Sequence, residues 1–140
     1  MCLAYGARSS TQDVDAVFHP SSTVRQAAGR AAKRSGLDLN WLNDGVKGFM
    51  SAQGEFAPFL ELDHLLVSLA EPAYLLAMKC MAMRLGEEFH DQDDVRFLLR
   101  LLDVASMEKA VGIITKYYPP DQIPQKTLYI LPELLPTLDQ

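Results

Sequence analysis

Between Pro72 and Gly86 lies the stretch that most limits what this chain can become. Ten consecutive residues there, Tyr74 to Met83, carry a single charge, Lys79. Pro72 is suited to the first turn of a helix and Gly86 to its end, so the pattern predicts a long apolar helix over about 72–85. The run is well short of the roughly 20 residues that cross a bilayer. It must therefore be covered by other parts of the protein. Cys80 sits inside it and reads as a buried thiol acting as a small hydrophobe. The methionines Met78, Met81 and Met83 read as core filler in the same way.

Around this helix the punctuation implies more helices downstream and strands upstream. Helices are expected from about Asp91 to Leu102 and from Ser106 to Tyr117, the latter stopped by Pro119 and Pro120. The tail carries Leu128, Leu131, Leu134, Leu135 and Leu138 at helical spacing, with Pro132 and Pro136 expected to break it into short pieces. Upstream, Val14 to Phe18 reads as a strand stopped by Pro20. Ser21 or Ser22 then caps a helix through Ser35, with Gly36 as its stop. Asn43-Asp44-Gly45 and Gly48 suggest turns. Two strands are expected at about 57–62 and 64–69, with Asp63 near the turn. Residues 1–6 read as the last turns of a helix. The order predicts an α+β fold in one domain over 1–140, with a small mixed sheet in about 1–70 and a helical part in about 71–140.

Composition excludes several classes. A chain of 140 residues fits one domain, and a formal charge of −5 argues against a non-specific nucleic-acid binder. Two cysteines, Cys2 and Cys80, cannot form a disulfide framework. No basic segment with an apolar stretch opens the chain, so the expected location is the cytoplasm, away from any membrane. His19, His64 and His90 share no ligand spacing, which argues against zinc. No serine or cysteine lies in a nucleophile-elbow pattern.

The acidic pair Asp13 and Asp15 is the main candidate for chemistry. Asp-x-Asp on a strand places both carboxylates on one face, about 7 Å apart. Such a pair can hold one or two Mg²⁺ ions, which neutralise a triphosphate and activate an attacking oxygen. Arg8 and the hydroxyls of Ser10 and Thr11, just upstream, could contact phosphates. The bland reading is a solvated strand end.

Arg8-x-x-Thr11-x-Asp13-Val14-Asp15, with the apolar strand after it, resembles a motif of the DNA polymerase beta-like nucleotidyltransferase superfamily. The similarity is to its bacterial nucleotidyltransferase-like branch, which includes abortive-infection toxins. Glu71 to Lys79 resembles the entry of that family's next helix, Arg84 follows at a suitable spacing, and Asp91-Gln92-Asp93-Asp94-Val95 resembles its last motif. The likeness covers about residues 1–118. It implies metal-dependent transfer of a nucleoside monophosphate from an NTP, with Asp13, Asp15 and Lys79 catalytic and Mg²⁺ or Mn²⁺ on the two aspartates. It also implies that Arg8, Ser10, Thr11, Lys79 and Arg84 bind the nucleotide. The acceptor would be tRNA or a protein, and the setting a toxin with its antitoxin.

Asp91 and Asp94 can be read structurally, as an N-cap and an N3 residue favoured by the helix dipole. Alternatively Asp94 orients Lys79 or Arg84. The family's glycine motif belongs just ahead of the segment matching Met1 to Ala4, so the chain reads as shortened, with an incomplete nucleotide site. Glu61 and Asp63 are candidates for a third carboxylate. A non-catalytic interaction module is the rival expectation. The shortened start also leaves apolar surface and an open sheet edge, which predicts a homodimer; the tail leucines are the alternative cover.

Overall fold

The computed structural model describes residue 6 and residues 13–137. The helix end expected over 1–6 thus lies outside the described residues, apart from Gly6. The fold mixes α and β, and the described residues fall into two compact units, one ending at Met50 and one beginning at Ser51.

The first unit is a strand–helix–strand crossover. Strand β1 (Val14–Asp15) pairs in parallel with β2 (Leu42–Asn43), with Val14 opposite Leu42 and Asp15 opposite Asn43. Helix α1 (Ser21–Ser35) connects them. Its boundary residue is Pro20 and no side chain caps it, so neither Ser21 nor Ser22 takes the expected role. Gly36 closes it in the left-handed region, φ 66°, as its lack of a Cβ allows. Ala28 and Ala32 are the buried positions of α1, and the Trp41 indole N–H donates to the Ala28 carbonyl at 3.0 Å. That bond ties the approach to β2 to the helix. The strand expected over 14–18 is shortened to two residues, and β2 was read only as a turn region. Pairing with a partner 28 residues away, not local propensity, decides both.

The second unit begins with a hairpin, β3 (Phe56–Leu62) and β4 (Leu65–Ala70), antiparallel, with an irregularity between Pro58 and Leu60. Its turn falls at Asp63 and His64. Where a small mixed sheet is expected, the strands among the described residues form one parallel pair, β1 with β2, and one antiparallel pair, β3 with β4. Four helices follow: α2 (Pro72–Ala82), α3 (Asp91–Leu101), α4 (Met107–Tyr117) and α5 (Gln125–Leu134). The apolar helix α2 is central and packs against both α3 and α4, while α5 lies on α3.

Each helix shows the face its spacing dictates. Helix α3 buries Asp91, Asp94, Val95, Leu98 and Leu99, and α4 buries Ala110, Ile114 and Tyr117. Ser106 caps α4 by accepting the Lys109 N–H. Helix α2 ends at Ala82, three residues earlier than expected, and Gly86 lies in the following turn with φ 139°. Helix α5 runs through Pro132, contrary to the expected break. An interior proline costs about 3 kcal/mol. Leu131 and Leu134 are both fully buried and contribute roughly 1.5–3 kcal/mol each, which offsets it. The Thr127 hydroxyl on α5 donates to the Cys80 carbonyl at 2.7 Å, locking α5 to α2. Gly54 lies against the Tyr74 ring, where a Cβ would come within 2.5 Å, so the loop before the hairpin closes on α2 only with glycine there.

Candidate functional site

Exposure alternates along residues 13–18. Asp13, Asp15 and Val17 are exposed, while Val14, Ala16 and Phe18 are half-buried. This two-residue period continues past the two residues of β1 and sets Asp13 and Asp15 on one solvent-facing side. Backbone bonds hold the segment straight: the Val14 N–H donates to the Trp41 carbonyl, and the Ala16 N–H to that of Asn43. Arg8, Ser10 and Thr11, the upstream phosphate contacts suggested by the sequence, lie outside the described residues.

One carboxylate beside the strand ends escapes the sequence reading. Asp44 directly follows β2, next to the partner of Asp15. It accepts from the Arg25 guanidinium at 2.6 Å and lies 3.0 Å from the Lys47 ammonium. Those bonds, from Lys47 first and then Arg25, hold its carboxyl below the ordinary range. A carboxylate committed to two cations is poorly placed to serve a metal. The sequence signal was present but misread: Asn43-Asp44-Gly45 looks like a turn, and the Asn43 side chain does accept the Gly45 N–H. Glu61 and Asp63, the other candidates for a third carboxylate, belong to the second unit. They stand exposed on the hairpin and in its turn.

The second unit brings four of the sequence candidates together around the first turn of α3. Lys79 Nζ on α2 donates to Asp94 Oδ2 at 2.8 Å. Asp94 is 2% exposed, while Lys79 keeps 23% of its side-chain surface in solvent. Asp91 accepts from Arg84 three times, from its backbone N–H and Nε at 2.9 Å and from Nη2 at 3.3 Å. The Arg84 guanidinium also stacks over the Phe89 ring, 4.3 Å from its centre. Burial would raise the Asp91 carboxyl, but the Arg84 bonds and the charges of Arg84 and Lys79 override it and hold it below its ordinary value.

Asp91 is therefore not the N-cap of its helix. His90 stands at that position and Asp91 is the first helical residue, its carboxylate spent on the turn behind it. Arg84 lies beyond the end of α2, so its position relative to Lys79 is set by that turn and not by a shared helix face. Asp91, Asp93 and Asp94 all sit in the first turn of α3, where the helix dipole favours negative charge.

Among the described residues no group of three or more His, Cys, Asp or Glu side chains is placed to hold a metal ion. Burial pushes the Cys80 thiol up to about 12, which removes it as a nucleophile. Among the described residues no helix is long and apolar enough to cross a membrane. In comparisons with known proteins, no family model, no curated protein and no solved structure matches this chain.

Proposed function

We propose that this chain is a nucleotidyltransferase-like protein that moves a nucleoside monophosphate from an NTP to an acceptor, with Asp13 and Asp15 as its metal ligands. The observation that carries the reading is the alternating exposure of residues 13–18, which gives both carboxylates the same open side. Mg²⁺ or Mn²⁺ on that pair would supply charge neutralisation for the phosphates and activation of the acceptor oxygen. That oxygen bonds to the α-phosphorus as the bond to the departing pyrophosphate breaks. By the resemblance described above, Lys79, a partly exposed ammonium bonded to the buried Asp94, is the cation assigned to the phosphate charge. Arg84, more exposed, is the second cation of this reading. The resemblance described above is what assigns the sheet to the nucleotidyltransferase type, the acceptor to tRNA or protein, the setting to a cytoplasmic toxin with an antitoxin, and Arg8, Ser10 and Thr11 to the nucleotide.

A specific observation favours a second reading, that of a non-catalytic interaction module. Lys79 and Arg84 both have carboxylate partners, and Asp44, the further carboxylate beside the strand ends, is committed to Arg25 and Lys47. Calorimetric titration of the chain with Mg²⁺ and each NTP separates the two. Weak binding, abolished by Asp13→Ala with Asp15→Ala, is expected. Low-micromolar binding that survives both substitutions would put the ligand elsewhere. No heat with any NTP would leave the interaction module.

A further inference from the structure

We propose that the outward face of α1 is a nucleic-acid contact, on which a strand is held by its phosphates. The inference stands apart from the nucleotide reading, since Asp13 and Asp15 play no part in it. It rests on how charge is laid out in the first unit.

The formal charge of −5 hides a segregation. Residues 1–50 carry six basic and four acidic side chains, whereas the rest of the chain carries seven and fourteen. Helix α1 itself holds Arg25, Arg30, Lys33 and Arg34 and no acid. Arg25 is neutralised by Asp44. Arg30, Lys33 and Arg34 are exposed, and among the described residues none of the three has a carboxylate partner.

The helix dipole accounts for part of this. Cations are favoured in the last turn, where Lys33 and Arg34 stand, but the effect fades beyond that turn. Arg30 lies farther back, three and four residues from Lys33 and Arg34, a spacing at which like charges destabilise a helix. On its other side the residues at those spacings are Ala27 and Gln26, so nothing along α1 offsets the repulsion. The cluster weakens its own helix and serves no internal bond, which leaves an external anion as the partner that would complete it.

The rest of the face matches a chain of phosphates. At 3.6 residues per turn, Ser22, Thr23, Gln26, Lys33 and Arg34 all fall within about 80° of Arg30 around the axis. All six are exposed, all can donate a hydrogen bond, and none is an acceptor-only group. These are the side-chain types that contact phosphate oxygens along a nucleic-acid strand. The opposite side of the helix, with Ala28 and Ala32, is buried. The outward face bears no large apolar or aromatic residue. That disfavours a protein partner, whose contacts centre on buried aromatic anchors, and a lipid surface, which needs Trp, Phe or Leu beside the cations. Leu37 and Leu39 are exposed, but they follow the turn at Gly36. With no ring to stack on a base, the face holds the backbone and does not read sequence.

Fluorescence anisotropy with the full chain and a labelled single-stranded RNA, in EDTA so that no metal acts at the acidic pair, tests this. Micromolar binding is expected at about 50 mM salt, with log K falling against log salt at a slope of about −2, as three phosphates on a single strand require. DNA of the same sequence is expected to bind equally well, because the 2′-hydroxyls are not held. Arg30→Gln with Arg34→Gln is expected to weaken binding at least about tenfold and to cut the slope to about −0.7, with helix content unchanged by circular dichroism. Lys33→Gln alone is expected to reduce the slope by about 0.7. Lys109→Gln with Lys126→Gln removes the same charge from the second unit and is expected to leave the slope unchanged. No binding at low salt overturns the proposal, and so does binding that survives the loss of Arg30 and Arg34. A clear preference for RNA over DNA overturns the phosphate-only contact. Anionic vesicles or polyglutamate bound as tightly as RNA would overturn it in favour of a lipid surface or an acidic protein.

Discussion

The Lys79–Asp94 pair shows how unequal the two members of an ion pair can be. Asp94 is 2% exposed and forms an ion pair with Lys79. Removing one partner of a buried pair costs about 3–5 kcal/mol, whereas replacing both by apolar groups is often near neutral. Lys79→Met is therefore expected to lower stability to urea by about 3 kcal/mol, and Lys79→Met with Asp94→Leu to recover more than half of it. A double variant no more stable than the single one would show that Asp94 is held by other contacts. The sequence identifies both residues, and it suggests that Asp94 orients a cation, but it does not say which one. Lys79 and Asp94 are joined by the packing of α2 on α3, which no local pattern encodes. The same applies to Asp91: its position suggests a cap, yet the turn through residues 83–90 returns Arg84 to its carboxylate and takes that role away.

At the scale of elements, helix starts and stops with strong local chemistry were readable: Gly36 after α1, Ser106 before α4, Pro119 after it. The end of α3, expected at about Leu102, falls at Leu101, but the residue that makes the stop is an aspartate that the sequence does not mark. Asp103 sits at φ 52°; its N–H donates to the Arg100 carbonyl and the Val104 N–H donates to that of Leu99. These are the two bonds of a Schellman stop, and Val104 completes it by burying its side chain. A left-handed conformation costs a residue with a Cβ about 1–2 kcal/mol, less for aspartate. Asp103→Gly is thus expected to raise stability by about 0.5–1 kcal/mol, read as an upward shift in the thermal midpoint. A fall would mean that the aspartate side chain supports the turn. Pro132 was misread in the opposite sense, because burial of Leu131 and Leu134 outweighs a local penalty that is all the sequence displays.

For the whole molecule, the helices α1 to α4 and the position of the hairpin were legible, while strand pairing was not. Alternation marks a strand but names no partner, so the link from β1 to β2, across α1, could only be seen in the structure. Charge follows the division into units. Residues 51–140 contain 7 basic and 14 acidic residues, and Lys79, Arg84, Arg96 and Lys116 there all have acidic partners. With that excess of acid, few cations of the second unit are left to meet an anionic ligand without competition.

The bond from Thr127 to the Cys80 carbonyl makes the thiol beside it a clock. Cys80 is 1% exposed, shut in by α2 and by the helix that Thr127 anchors. A thiolate-seeking reagent can reach it only during excursions in which α5 lifts away or the unit unfolds. In the native protein, peptide mapping after timed alkylation is expected to show Cys80 reacting far more slowly than in urea, and Thr127→Val to speed it by about tenfold, the ratio equivalent to 1.4 kcal/mol, which lies within the range for one lost hydrogen bond. Equal rates in both proteins would mean that α5 is not the gate. Each modified Cys80 is the permanent record of one transient opening, so the labelled fraction counts the molecules that have opened during the time the reagent is present.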